Sequence, residues 1–310
     1  MERSVKEVVT AHQQREGGGF LVRRPIGGKI KMVDPFILLD HVGPVDHKPG
    51  EAIGAPDHPH RGFETVSYII EGSLHHKDSV GNEGHLKSGW VQWMTAGSGV
   101  VHSEMPGEDM IKNGGRMEAT QLWVNLRSTD KFVSPRYQDT PAEKIPVVKT
   151  PDGKAKVKVI AGTSLGTQAV IETRSPMMYL DIHLEPGASF TQEVHESFNG
   201  FAYVRGGSGY LGHDLKPAKM GQVGVLTEGS KFTMKAADDQ SCDILLIAGQ
   251  PLNEPVVHHG PFVMNTKEQI QQAIKDYHSG MLGKIAGSEM RYQQTEAAKQ
   301  KQKETGTWSQ

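Results

Sequence analysis

The sequence predicts an all-β protein built from two copies of one β-unit. Three observations carry that expectation: short apolar runs rich in Val, Ile, Tyr, Trp and Thr; abundant turn residues between them, with 36 glycines and 17 prolines in 310 residues; and a weak internal repeat. Runs of this composition read as strands. Turn signals spaced roughly 8–12 residues apart fit a sandwich or barrel rather than a βαβ sheet. The length suits about two domains, at roughly 150 residues each.

Taken in order, the first strand signals fall at residues 65–70, 90–94 and 118–125. Residues 134–154 hold Pro135, Pro141, Pro146 and Pro151 and few apolar runs, so they read as a linker. Beyond it, residues 177–183, 200–205 and 243–248 resume the strand pattern. The repeat lies on either side: Tyr68 to Gly72 precede Gly89 and the run WVQWMTAG, while Tyr203 to Gly206 precede Gly221 and the run QVGVLTEG. Domains at 1–140 and 141–287 follow. One helix is expected near 266–279. Thr266 and Gln269 make a capping box, Ile270, Ala273, Ile274 and Tyr277 form an apolar stripe, and Gly280 sits where a C-terminal cap falls. Residues 288–310 are polar and read as a disordered tail or a poorly packed extra helix, with the disordered tail as the expectation.

Charge and composition exclude several classes. A formal charge of −2 with no long basic block disfavours direct nucleic-acid or membrane-surface binding. Cys242 is the sole cysteine, so the core rather than a disulfide must hold the fold. The first residues lack the apolar stretch of a signal peptide. The longest apolar runs, such as residues 244–248, are far shorter than the ~18 residues of a membrane span. A soluble cytoplasmic protein is the expectation. A nuclear location stays open, although the basic cluster at 299–303 is a poor import signal.

The chemistry lies in the histidines. His58 and His60 are two apart, so on a strand both face one side and reach one ion. Pro59 between them points to a strand edge. His102 and Glu104 repeat that spacing about forty residues on. Two such pairs on neighbouring strands supply three nitrogens and one carboxylate, a set for Fe(II), Mn(II), Ni(II), Cu(II), Co(II) or Zn(II). His75–His76 and His258–His259 are adjacent and read as surface pairs, and the lone His85 and His195 as non-ligands. Phe63, Trp93, Met94 and Val101 are candidate walls for a flat substrate, though such residues are more often core.

The blocks HPHRGFETVSYIIEG, DSVGNEG and VQWMTAGSGVVHSEMP resemble the pirin family of the cupin superfamily, as do DPFILLDHVGP and GPFVMNTKEQI. The resemblance covers about residues 18–285. It implies two tandem cupin barrels with metal only in the N-terminal one, held by His58, His60, His102 and Glu104. Iron as Fe(II) is the metal it favours. Many cupins instead take a carboxylate placed as Glu64 is, and counting from His60 puts Glu64 on the same strand face. The second unit offers no matching histidine pair near 193–195 and no histidine near Lys235. Trp90, Ser98 and His41 depart from the usual pirin text without touching the ligand set. The implied activity is that of a quercetin (flavonol) 2,4-dioxygenase releasing carbon monoxide, with Glu104 as ligand and base. The alternative is an iron-dependent, redox-sensing cofactor that binds a transcription factor or another regulatory protein.

Overall fold

Almost every apolar run singled out above is a strand: Phe63–Glu71, Val91–Thr95, Gly115–Asn125, Met177–Leu184, Asn199–Leu211 and Cys242–Gly249. The structure, a computed structural model, describes residues 1–308. Its residues divide into two units, both dominated by antiparallel β-sheet. Among the described residues no helix is long and apolar enough to cross a membrane.

The internal repeat is a shared piece of sheet. Tyr68 stands opposite Val91 in one unit, and Tyr203 opposite Val223 in the other, both in antiparallel ladders. Gly89 and Gly221 open the returning strands, each at φ +83°. Their N–H groups donate to the carbonyls of Ile69 and Val204, the residue after each tyrosine. A positive φ is the conformation that glycine adopts without steric cost.

The units do not divide the chain at one point. One comprises Met1–His12, Arg23–Leu39 and Glu143–Asn253; the other comprises Gln13–Val22, Asp40–Ala142 and the residues from Glu254 onward. The crossing at Ala142 lies inside the proline-rich stretch, close to the expected boundary of 140. The early segments, however, fall with the later half of the chain. Strand pairing is the reason: Val5 pairs with Leu226, Thr10 with Gln222, and Glu2 with Lys231. The Asp34 carboxylate accepts the N–H groups of Leu252 and Asn253 at 3.1 and 2.9 Å. The interior of this unit is apolar, with Phe190, Phe232, Met234, Leu180 and Ile244 among its core.

The other unit holds the histidine pairs. Its smaller sheet runs Ala55–His60, Val100–Pro106, Ser73–Asp78, Glu83–Lys87. Its larger sheet includes Arg136–Thr140, Val91–Thr95, Phe63–Glu71 and Gly115–Asn125 side by side. After a short helix α1 (Glu108–Asn113), the second helix α2 (Lys267–His278) begins as expected, with both halves of the Thr266–Gln269 capping box formed. Ile270 and Ala273 of α2 pack with Val101, Phe262 and Leu282.

The tail is a correction. Residues 288–305, expected to be disordered, form the helix α3 (Ser288–Thr305), so α2 is not the last helix. Its residues are good helix formers, and Gly306 closes it in the left-handed conformation. It docks through polar groups, which a search for an apolar stripe does not register. The Arg291 guanidinium grips Asp57 at 2.5 and 2.8 Å, and the Tyr292 hydroxyl donates to the Asp57 carbonyl. The Gln302 amide donates to the Glu51 carbonyl, and the Thr305 hydroxyl to its carboxylate. The Arg291–Asp57 side chains are only 12 % and 9 % exposed. Arg291→Ala is therefore expected to cost on the order of 3 kcal/mol, the scale of breaking a buried pair, seen as a lower urea midpoint. A change within about 0.5 kcal/mol, as for an ordinary surface substitution, would mean that α3 is not docked this way.

Candidate metal centre

The register between Ala55–His60 and Val100–Pro106 builds the site. His102 stands directly opposite His58, and Val100 opposite His60. Side chains two apart share a face, so His58, His60 and His102 project together. Their ring centroids lie 4.3–4.8 Å apart, and one nitrogen of each falls within 4.8 Å of the others. Ala55–His60 is the edge strand of its sheet, which is where Pro59 can sit without removing a ladder hydrogen bond. A β-bulge between His102 and Glu104 moves Glu104 opposite Ala55.

The turn after His60 is fixed from several sides. Gly62 has φ +88°, and a Cβ there would meet the Val263 carbonyl oxygen at 2.0 Å, so only glycine fits. The buried Lys131 ammonium donates to the carbonyls of Gly62 and Val263 and to Asn125 Oδ1, at 2.7–2.9 Å. Burial pulls its pKa down to about 8. Arg61 donates to the Ser98 carbonyl and pairs with Asp276 of α2 at 2.7 Å.

The donor set fits a metal ion. His58 Nδ1 lies 2.8 Å from the Pro56 carbonyl; a carbonyl only accepts, so Nδ1 donates there and Nε2 is the nitrogen left to face an ion. Both nitrogens of His60 and of His102 are buried without a hydrogen-bond partner among the described residues; the Pro261 carbonyl near the His60 ring falls outside hydrogen-bonding geometry. Burial, reinforced by the neighbouring imidazoles, holds both rings well below the ordinary histidine pKa, so they are neutral. Orphaned buried polar atoms are costly, at about 1–3 kcal/mol each. Neutral imidazoles aimed at one point are what a first-row ion requires.

The Glu104 carboxylate lies two residues beyond His102. It is buried and held by neutral donors: the Ser67 hydroxyl at 2.8 Å, and the Gln121 amide at 2.8 and 3.1 Å to its two oxygens. Gln121 is itself oriented by Trp123, whose Nε1–H donates to its Oε1 at 3.2 Å. Glu104 is not within the tight imidazole cluster. Glu64 lies elsewhere. The turn at Arg61–Gly62 breaks the count from His60, so strand parity does not carry through it. On Phe63–Glu71, Thr65 and Ser67 stand opposite Trp123 and Gln121, whereas Glu64 stands opposite Val124 and Thr95 on the other face. Its carboxylate accepts from the Thr95 hydroxyl at 2.6 Å.

The remaining candidates separate by the same alternation. His76 is not a surface residue. It is 1 % exposed, opposite Glu104, with its ring 5.5 Å from His102. His75 does point outward, and His258 and His259 are exposed. Of the candidate walls, Phe63 borders the cluster, 5.1 Å from the His60 ring and 4.3 Å from Trp123, and Met94 stands opposite Thr65 on the face of Ser67 and Trp123. Trp93 shares the Glu64 face, Met94 packs with Ala96 and Val100, and Val101 packs under α2. Ser67, Gln121, Trp123 and His76 were missed by the sequence reading. The spacing of Gln121 and Trp123, two apart on one strand, was the available signal. In the other unit, the strands Ser189–Glu193 and Lys231–Ala236 pair in the corresponding place. They turn Phe190, Phe232 and Met234 inward, where imidazoles would be needed.

Comparison with known proteins agrees with this geometry. Residues 19–124 match the Pirin family model and residues 179–283 the Pirin C-terminal cupin domain, so the units contain two cupin domains. The chain is 44 % identical to pirin from Homo sapiens over 279 residues, covering 89 % of this chain and 92 % of that protein. It is 42 % identical to pirin-like protein 2 from Arabidopsis thaliana, covering 91 % and 86 %. A solved structure of quercetin 2,3-dioxygenase from Acinetobacter baumannii superposes with a TM-score of 0.87 at 36 % identity, covering 92 % of this chain and all of that one.

The metal-free protein is expected to lose stability as pH falls below about 6.5, because the unfolded chain takes up protons that the buried His60 and His102 refuse. Each such group contributes at most about 1.4 kcal/mol per pH unit. Urea unfolding at pH 7 and 5.5 should therefore show a shallower loss in a His60→Gln/His102→Gln variant. Equal slopes would mean that the rings are not buried and neutral.

Proposed function

The chain belongs to the pirin family, and on that premise we propose that it is a metal-dependent flavonol dioxygenase, of the quercetin 2,4-dioxygenase type, with His58, His60, His102 and Glu104 as ligands and Glu104 also as base. The observation that carries the reading is the convergence of three imidazoles, two of them buried and neutral, beside a buried carboxylate held by the Ser67 hydroxyl and the Gln121 amide. A bound first-row ion, Fe(II) in the first instance, supplies Lewis acidity toward the substrate's hydroxylate and access to dioxygen.

The chain's residues supply the rest. Glu104 is placed to take the 3-hydroxyl proton of the flavonol, and Ser67 and Gln121 hold its carboxylate ready to accept. Phe63 and Trp123 stand beside His60 as an aromatic wall for a flat ring system. His258 packs against the Trp123 ring at 5.9 Å. The overall reaction takes one flavonol and one dioxygen to one ester and one carbon monoxide. The similarity to the Acinetobacter baumannii quercetin 2,3-dioxygenase supports this substrate class.

Protein reconstituted with Fe(II) is expected to consume quercetin in air and release carbon monoxide, while metal-free protein does not. Loss of a general base typically costs roughly 10²–10⁴-fold, and Glu104→Gln is expected to fall in that range. Wild-type turnover by Glu104→Gln would contradict the assignment. Stoichiometric iron without quercetin consumption would favour the iron-dependent regulatory reading instead.

A further inference from the structure

The outer face of the smaller sheet carries a second cluster of ligand-type side chains. His75 stands directly opposite His85 across the hairpin of Ser73–Asp78 and Glu83–Lys87. Their rings stack at 4.1 Å with 16° between planes. Glu83, two residues before His85 and on the same face, places Oε1 2.7 Å from His75 Nε2 and 3.9 Å from His85 Nε2. One ligand atom from each of the three lies within 4.8 Å of the others. His76, next in the chain, faces the interior, so this cluster is separate from the buried triad.

We propose that His75, Glu83 and His85 form a second, surface site for a divalent first-row transition ion such as Zn(II), Ni(II) or Cu(II), with water completing the coordination. Two imidazoles and one carboxylate are the ligand chemistry such ions select. The sheet brings them together: directly opposed positions hold their Cβ atoms roughly 4.5–5.5 Å apart. The hairpin register is pinned by Asp78, whose carboxylate accepts the N–H groups of Val80 and Asn82 and the Asn82 amide. Both Nε2 atoms already approach one carboxylate oxygen, and the His75 and His85 side chains are 24 % and 66 % exposed, so an ion reaches them from solvent. Lys77 is the built-in competitor, with Nζ 3.2 Å from the same oxygen. An ion here would brace the strand whose inner face sets His76 against His102.

Zinc alone is the probe, measured as bound equivalents on the full chain at low micromolar metal. Wild type is expected to bind two equivalents and His85→Ala one. His85→Ala should weaken the second equivalent by more than the roughly tenfold that losing an outer hydrogen-bond partner costs. His85 is largely exposed, so this variant should fold. Lys77→Gln should tighten the second equivalent, a gain that misfolding does not produce. A His58→Ala/His102→Ala protein should keep one equivalent and lose it when His85→Ala is added. The same number of equivalents in wild type and His85→Ala, or none in the His58→Ala/His102→Ala protein, would overturn the proposal.

Discussion

The structure depends on one cross-strand register, His102 opposite His58, with His60 on the adjacent same-face position. A slip of one residue between the two strands would set His58 and His60 on the face opposite His102, because side chains alternate with period two. The protein fixes the register with costly elements: an edge strand carrying a proline, a bulge before Glu104, and a glycine turn that admits no Cβ. A buried lysine and an Arg61–Asp276 pair then tie that turn to α2 and its approach. Such concentration of buried polar groups and unpaired nitrogens is unusual for a core and characteristic of a binding site.

Around the triad the two sheets of this unit divide the labour. The smaller sheet presents the imidazoles and Glu104. The larger sheet presents Ser67, Gln121 and Trp123, which orient the carboxylate through a directed chain of hydrogen bonds. The other unit repeats the same strand scaffold with phenylalanine and methionine where the triad would be. One β-unit thus holds a cluster of imidazoles in one copy and an apolar core in the other, and a few inward positions make the difference.

Much of this was legible in the sequence. The strands announced themselves through short apolar runs, α2 through its capping box, and the triad through two histidine-containing pairs at spacing two. What escaped did so for physical reasons. The chain order hides that residues 1–12 pair with strands beyond 220, because such pairing is long-range. Helix α3 docks by ion pair and amide contacts, and its sequence has no apolar stripe to betray it. Glu64 is equivalent to Glu104 only by strand parity, and parity does not carry across the turn at Gly62. His76 reads as surface from the sequence because an adjacent histidine pair must split between two faces; here one face is the interior.

The most direct test is a crystal structure of the iron-loaded protein with anomalous scattering recorded at the iron edge. The account predicts one buried peak, coordinated by His58, His60 and His102 at about 2.0–2.2 Å, as for first-row ions on imidazole, with a Glu104 oxygen as fourth protein ligand. A peak whose fourth ligand is Glu64 or His76, or no peak among the three imidazoles, would contradict it.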